Sequence, residues 1–223
     1  MKISRPPGPR EGLFGMRLHR LHRTSAAIVG LYALAHLANH LAALDGVASH
    51  VAFMDAVRRV TRVPALEALL LACVLFQVVS GLALVARGRG ERRAPFDRLQ
   101  ALSGLYLSFF LLVHVSSVLA GRFVQGVDTN FHFAAAGLHV APFHLFFYPY
   151  YGLAVLALGV HLACAFHYLA RERLGAVTRS RLACAGIAGG AVLSGLILAA
   201  FGGLLQPVAI IEPYRANLEA LLR

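Results

Sequence analysis

Five apolar stretches constrain this chain more than any other feature, because each is long enough to cross a lipid bilayer. They cover residues 24–44, 65–86, 99–120, 146–170 and 182–205, called spans 1 to 5. A membrane-spanning helix needs about 20 apolar residues, and the segments between the spans are too short for a soluble domain. The sequence therefore predicts an all-α membrane protein, a bundle of five transmembrane helices, with no alternating pattern that would favour β-strands.

The chain divides into three parts on this basis. Residues 1–23 form a basic N-terminal segment, residues 24–205 the five-helix transmembrane domain, and residues 206–223 a C-terminal tail. Span 1 contains Asn39 and two histidines. We expect it to be a membrane helix, because it is too long and too polar for the core of a signal peptide.

The basic residues predict the orientation of the bundle. The net charge is +11, although 58% of the residues are hydrophobic. Fifteen of the 21 Lys and Arg residues fall in the N-terminal segment and in the two connections on its side of the membrane. Because such residues favour the cytoplasmic side, we expect a cytoplasmic N-terminus and an outer C-terminus in a bacterial-type inner membrane. The charge thus needs no nucleic-acid partner.

Histidines inside the spans are the main functional signal. Ionisable residues are costly within a membrane and usually have a function there. The histidines concerned are His36, His40, His114, His161 and His167. A single one is most simply a packed core residue. Several together favour a cofactor, since imidazole is the commonest metal ligand and helix bundles hold cofactors between facing helices.

Two of these histidines are predicted to lie at the same depth. His36 and His114 are about 18 and 22 Å from the cytoplasmic ends of their spans, at 1.5 Å per residue. His161 falls in the inner half, where Gln77 is the nearest polar residue of span 2. Two imidazoles at one depth suit the axial positions of a b-type haem, with His40 as a competing ligand. Zinc would need three or four ligands, some of them from other depths.

Motifs around these histidines resemble a known family. They are Gly30-Leu31-Tyr32-Ala33-Leu34-Ala35-His36 in span 1, Leu99-Gln100-Ala101-Leu102-Ser103-Gly104 with Phe109-Phe110 and Val113-His114 in span 3, and Pro149 followed by His161 in span 4. Over about residues 17–205 the chain resembles the cytochrome b membrane subunit of succinate:quinone and fumarate:quinone oxidoreductases, in its five-helix, di-haem form. The resemblance implies an outer haem b held by His36 and His114, and an inner haem held by His161 and a ligand on span 2.

Span 2 departs from the family pattern. Where the family has His-x-x-x-Gly, this chain reads Gln77-Val78-Val79-Ser80-Gly81, and span 2 contains no histidine. Glutamine is a poor haem ligand. Three arrangements stay open for the inner level: no haem, a haem held by His161 alone, or a haem whose second ligand comes from elsewhere, such as a partner chain.

The start of span 1 carries a second resemblance. Arg20-Leu21-His22-Arg23-Thr24-Ser25 is similar to the Leu-His-Arg-x-Ser element of related single-haem subunits, which lies at the cytoplasmic quinone site. The similarity implies His22, Arg23 and Ser25 as quinone-binding residues, and a cationic donor beside a hydroxyl can hydrogen-bond a quinone carbonyl as it gains negative charge. A simple basic anchor for anionic lipid headgroups is the alternative.

Span 5 differs from the others because it contains no acidic or basic residue. We therefore expect it to carry no ligand. Gly186, Gly190 and Gly195 predict a face that packs closely against a neighbouring helix.

The function implied by the resemblance is that of a membrane anchor and cytochrome b subunit of a succinate dehydrogenase or fumarate reductase, enzymes of the tricarboxylic acid cycle and respiratory chain. Its partners would be the flavoprotein and iron–sulfur subunits and membrane quinone, and no dicarboxylate site is expected on this chain. Two rival predictions are a haem-free structural anchor of the same complex and a metal-cation transporter. The near absence of carboxylates from the spans argues against the transporter.

Overall fold

The computed structural model describes residues 9–88 and 94–222, with side chains from residue 16 onward. Within these ranges the chain forms eight α-helices and no strand. Five helices are long and apolar enough to cross a membrane: α1 (Pro9–Ala42), α3 (Pro64–Arg87), α4 (Pro95–Phe123), α6 (His144–Leu169) and α7 (Ala176–Phe201). The shorter ones are α2 (Val47–Thr61), α5 (Phe131–His139) and α8 (Tyr214–Glu219). The prediction of an all-α bundle with five membrane-length helices is confirmed.

The helix boundaries follow local sequence signals. Pro64 and Pro95 stand at the first positions of α3 and α4, where the missing N–H of proline costs no helical hydrogen bond. The side chain of Asn130 accepts hydrogen bonds from the backbone N–H groups of His132 and Phe133 and so caps α5. Helix α1 begins at Pro9, so the predicted boundary after residue 23 falls inside a continuous helix. Helix α7 ends at Phe201, before the predicted end of span 5.

The membrane-length helices pack in chain order, each against the next, and the end of α7 returns to the end of α1. They form a ring that surrounds a cavity. Their outward faces are apolar and exposed, as in Leu31 (73% exposed) and Leu34 (65% exposed), which fits contact with lipid acyl chains. We call the end of the ring with the start of α1 and the α3–α4 and α6–α7 connections the N-terminal end.

The other end of the ring is covered by short helices, which lie in segments where the sequence predicted only connections between the spans. Helix α2 follows Gly46, whose φ of +111° gives the sharp change of direction after α1. It buries His50 and Met54 on one side. Helix α5 contributes the almost fully buried Phe131, which stacks on Phe201 of α7. The opposite end is therefore closed by packed side chains from α2, α5 and α7.

Helices α6 and α7 are in backbone contact at two glycines, Gly159 and Gly190. A Cβ atom added to Gly190 would lie 3.0 Å from the Cα of Gly159, and one added to Gly186 would lie 3.4 Å from the Cβ of Ala163. The predicted close-packing face of span 5 is thus confirmed at Gly186 and Gly190. It is wrong at Gly195, where an added Cβ would have no atom within 4 Å of those described.

Candidate functional site: a histidine-lined cavity

The interior of the ring is a cavity of about 2150 Å³ that reaches towards both ends of the bundle. Typical small-molecule sites have volumes of about 300–1000 Å³. Apolar side chains form most of the lining. The histidines on it are His19, His22, His36, His40, His50, His114 and His161. The cavity is large enough for more than one ligand of cofactor size.

One group of histidines lies near the middle of the cavity and continues towards the opposite end. The imidazole rings of His36 on α1 and His114 on α4 have centroids 6.0 Å apart. Phe110 stacks on His114 and Tyr32 stacks on His36, which fixes the orientation of both rings. The structure thus brings together His36 and His114, which the rise per residue of an α-helix predicted to lie at the same depth.

His40 and His50 extend this group. The Nε2 atoms of His36 and His40 are 3.1 Å apart, and His40 Nδ1 lies 3.4 Å from His50 Nε2. The Asn39 side-chain amide also reaches His50 Nε2, at 3.1 Å. Four imidazoles therefore form a continuous polar line from His114 to α2 inside otherwise apolar surroundings.

Sequence reasoning did not identify His50 as part of the site, because it lies in a segment between spans. It is 2% exposed, and its Nδ1 has no hydrogen-bond partner among the described residues. Burial, together with the nearby His36 and Arg58, lowers the pKa of His50 to about 4. The sequence could have indicated the burial of His50 through its spacing from Met54, because the two residues lie on one face of α2.

A second group lies nearer the N-terminal end, around His161 of α6. Its Nδ1 is 3.2 Å from Ser103 Oγ, and its Nε2 is 3.2 Å from the Gln100 amide nitrogen. Both partners are on α4. A Cβ atom added to Gly104 would lie 3.2 Å from His161 Cε1, so the ring occupies space that only glycine leaves open.

His22 of α1 belongs to the same region. Its Nδ1 lies 2.7 Å from Ser80 Oγ on α3. The ring also faces Gly81, where an added Cβ would lie 3.6 Å from His22 Cε1. Sequence reasoning assigned His22 to a surface segment, whereas the structure turns it into the bundle.

The remaining predicted site residues take different positions. Gln77 donates from its amide to the His22 carbonyl oxygen and to Ser25 Oγ, both at 2.6 Å. Ser25 is buried and donates its own proton to the Leu21 carbonyl at 2.9 Å. Its hydroxyl thus joins α1 to α3. Arg23 is exposed and lines the N-terminal end of the cavity, where the predicted contact with a quinone stays a prediction.

The donor set at the level of His36 and His114 fits a b-type haem. Two imidazoles on opposite sides of one metal, with metal–nitrogen bonds of about 2 Å, have ring centroids about 6 Å apart, as His36 and His114 have. Among the described residues, no group of three or more His, Cys, Asp or Glu side chains is arranged to hold a bare metal ion. A porphyrin needs only two axial ligands from the protein.

Fold and site together define a multi-pass helical membrane protein with a histidine-lined interior. No family model matches the chain, and no curated protein or solved structure matches it.

Proposed function

We propose that this chain is the membrane anchor and cytochrome b subunit of a succinate dehydrogenase or fumarate reductase, which passes electrons between an iron–sulfur subunit and membrane quinone. The observation that carries the proposal is the pairing of His36 and His114 across a large cavity inside the bundle. The motifs around both residues support the same family.

His36 and His114 would hold one haem b in this cavity. Each ring is oriented by an aromatic neighbour on its own helix, Tyr32 for His36 and Phe110 for His114, so that the protein determines the direction of the axial nitrogens before iron binds. A haem bound there supplies a one-electron carrier. The apolar lining excludes water from the pair.

The N-terminal end of the bundle fits the docking of soluble subunits. Exposed arginines are concentrated there: Arg17, Arg20, Arg23, Arg98, Arg171, Arg173 and Arg181. Such a surface attracts an acidic partner and, by the distribution of basic residues, would face the cytoplasm. Arg23 also lines the cavity at this end, so a quinone bound beside it would have a cation near its carbonyl oxygen as that oxygen gains negative charge.

A reduced-minus-oxidised optical spectrum of the purified chain, with haem quantified per polypeptide, tests the proposal. We expect a b-type spectrum whose main component is lost in His114→Ala and in His36→Ala. His40→Ala distinguishes His36 from the competing ligand His40, which lies one helical turn away and touches the same ring. We expect this variant to keep the b-type spectrum. A chain that binds no haem would contradict the redox role and favour the haem-free anchor. Metal uptake into vesicles that contain the haem-free chain would favour the transporter.

A further inference from the structure

The second group of histidines supports a separate site. We propose that His22 and His161 are the axial ligands of a second haem b at the N-terminal end of the cavity, so that α1 supplies the ligand that α3 lacks. This inference rests on the proposed function, because it assumes that the cavity binds haem. It assigns to His22 a role different from the quinone contact that the sequence implies.

The hydrogen bond between His22 and Ser80 shows which nitrogen of His22 can bind iron. Ser80 Oγ lies 2.5 Å from the Phe76 carbonyl oxygen, and two oxygens so close need a proton between them. The single hydroxyl proton of Ser80 is therefore donated to its own helix. His22 must then donate from Nδ1 to Ser80, which leaves the lone pair on Nε2.

His161 has the same arrangement on the other side. Ser103 Oγ donates to the Leu99 carbonyl oxygen at 2.7 Å, so it accepts a proton from His161 Nδ1. The Gln100 amide donates towards Nε2, which again identifies Nε2 as the nitrogen with the lone pair. Iron bound at Nε2 would take the place of this hydrogen bond. Metal-bound histidines typically donate their other N–H group to such a partner, which orients the ring.

The two rings lie in space left open by glycine. Gly104 faces His161, and Gly81 faces His22. Ser108 of α4 connects these two glycines, because its hydroxyl lies 3.8 Å from the position of a Cβ on Gly81 and donates to the Gly104 carbonyl oxygen at 2.9 Å. Both histidines, both glycines and Ser108 line the one cavity.

Gln77 cannot serve as the ligand in this arrangement. Its amide is directed at the backbone and hydroxyl of α1 by two hydrogen bonds of 2.6 Å. These bonds hold α1 against α3 beside His22. Gln77, which stands where the family has its haem ligand, thus stabilises the position of α1, the helix that carries His22.

A porphyrin suits this pair better than a bare metal ion does. Two imidazoles are too few for zinc, which takes three or four protein ligands, whereas the four porphyrin nitrogens complete the coordination of iron. Two arginines line the cavity at this end, Arg23 and Arg87. They provide positive charge for the propionate groups of the porphyrin.

Haem stoichiometry and electron paramagnetic resonance of the full chain, reconstituted with iron protoporphyrin IX, test the inference. We expect two haems per wild-type chain and two low-spin signals. His22→Ala and His161→Ala should each remove one haem and the same signal, while His114→Ala removes the other. His19→Ala is the matched control, because His19 is a cavity-lining histidine one turn away that should leave both haems in place.

The outcomes separate the two proposals. A wild-type chain with one haem that persists in His22→Ala overturns this inference and leaves the proposed function intact, whereas a chain with no haem overturns the proposed function. Should His22→Ala fail to fold, His22→Gly with added imidazole provides the second measurement. Return of the lost low-spin signal on addition of imidazole supports ligation by His22, and no return contradicts it.

Discussion

Ser80 on α3 accepts a hydrogen bond from the Nδ1 atom of His22 on α1, at 2.7 Å, and its hydroxyl donates a hydrogen bond to the carbonyl oxygen of Phe76. A residue of one helix therefore sets the tautomer of an imidazole on another. Ser103 does the same for His161. The two arrangements are the main reason to regard the N-terminal half of the cavity as a ligand site.

Replacement of Ser80 should weaken the binding of haem by His22. In Ser80→Ala, the Nδ1–H group of His22 loses its partner, and we expect about 10- to 100-fold weaker binding of the second haem, the usual effect of such outer partners on metal affinity. Optical titration with haem measures it. Ser108→Ala is the matched control, because Ser108 bonds to the carbonyl of its own helix and to no histidine. Equal affinities in the two variants would contradict the role of Ser80.

Gln77 should stabilise the contact between α1 and α3 whether or not haem binds. Gln77→Ala leaves the Ser25 hydroxyl without the amide donor, and we expect a loss of about 1–3 kcal/mol in the free energy of unfolding. Thermal unfolding in detergent measures this change. Val79→Ala, at a side chain that is 59% exposed on the same helix, should have little effect. A stability unchanged by Gln77→Ala would show that these hydrogen bonds contribute nothing net.

The glycine contact between α6 and α7 predicts a position-specific effect. In Gly190→Ala the new Cβ would lie 3.0 Å from the Cα of Gly159, so the helices must separate, at about 1–3 kcal/mol. Gly189→Ala is the control, because its Cβ would meet no described atom within 4 Å, and alanine favours helix by up to about 1 kcal/mol. The midpoint of thermal unfolding distinguishes the two variants. A similar midpoint for both would rule out a tight contact here.

His50 should make the stability of the protein depend on pH. The buried ring has its pKa lowered to about 4, whereas an exposed histidine has a pKa of about 6.5. Between these values the unfolded chain binds a proton that the folded chain does not, so the free energy of unfolding falls as the pH drops from about 6.5 to about 4. Above about pH 6.5, His50 is neutral in both states and does not change the free energy of unfolding with pH. In His50→Gln, unfolding midpoints measured across this range should decline less steeply than in the wild type.

Periodicity and length were sufficient to predict the five membrane helices and the common depth of His36 and His114, because rise per residue is a fixed property of the helix. They did not give the direction of a side chain around the helix axis. Gln77 was paired with His161 by depth, yet its amide is bonded to α1. Similarly, Gly159 was not recognised as the partner of Gly190, since such contacts depend on how two helices are rotated against each other.

His22 and His50 show the same limit at the ends of the spans. His22 lies in a basic segment before span 1, and His50 lies between spans 1 and 2. His22 turns inward because α1 continues past the predicted boundary, and His50 does so because the short helix α2 covers the bundle. Their placement depends on tertiary contacts with Ser80 and with His40. Such contacts cannot be deduced from a single sequence.

Helix α1 is unbroken from Pro9 to Ala42 and carries both His22 and His36. Fourteen positions separate them, which corresponds to about 21 Å along the helix axis, or roughly two-thirds of a hydrocarbon core of about 30 Å. A full crossing is worth about 2.3 kcal/mol per charge at 100 mV, so an electron that moves between the two levels does about 1.6 kcal/mol of electrical work at that potential. One rigid helix would thus set how strongly the reaction is coupled to the membrane voltage.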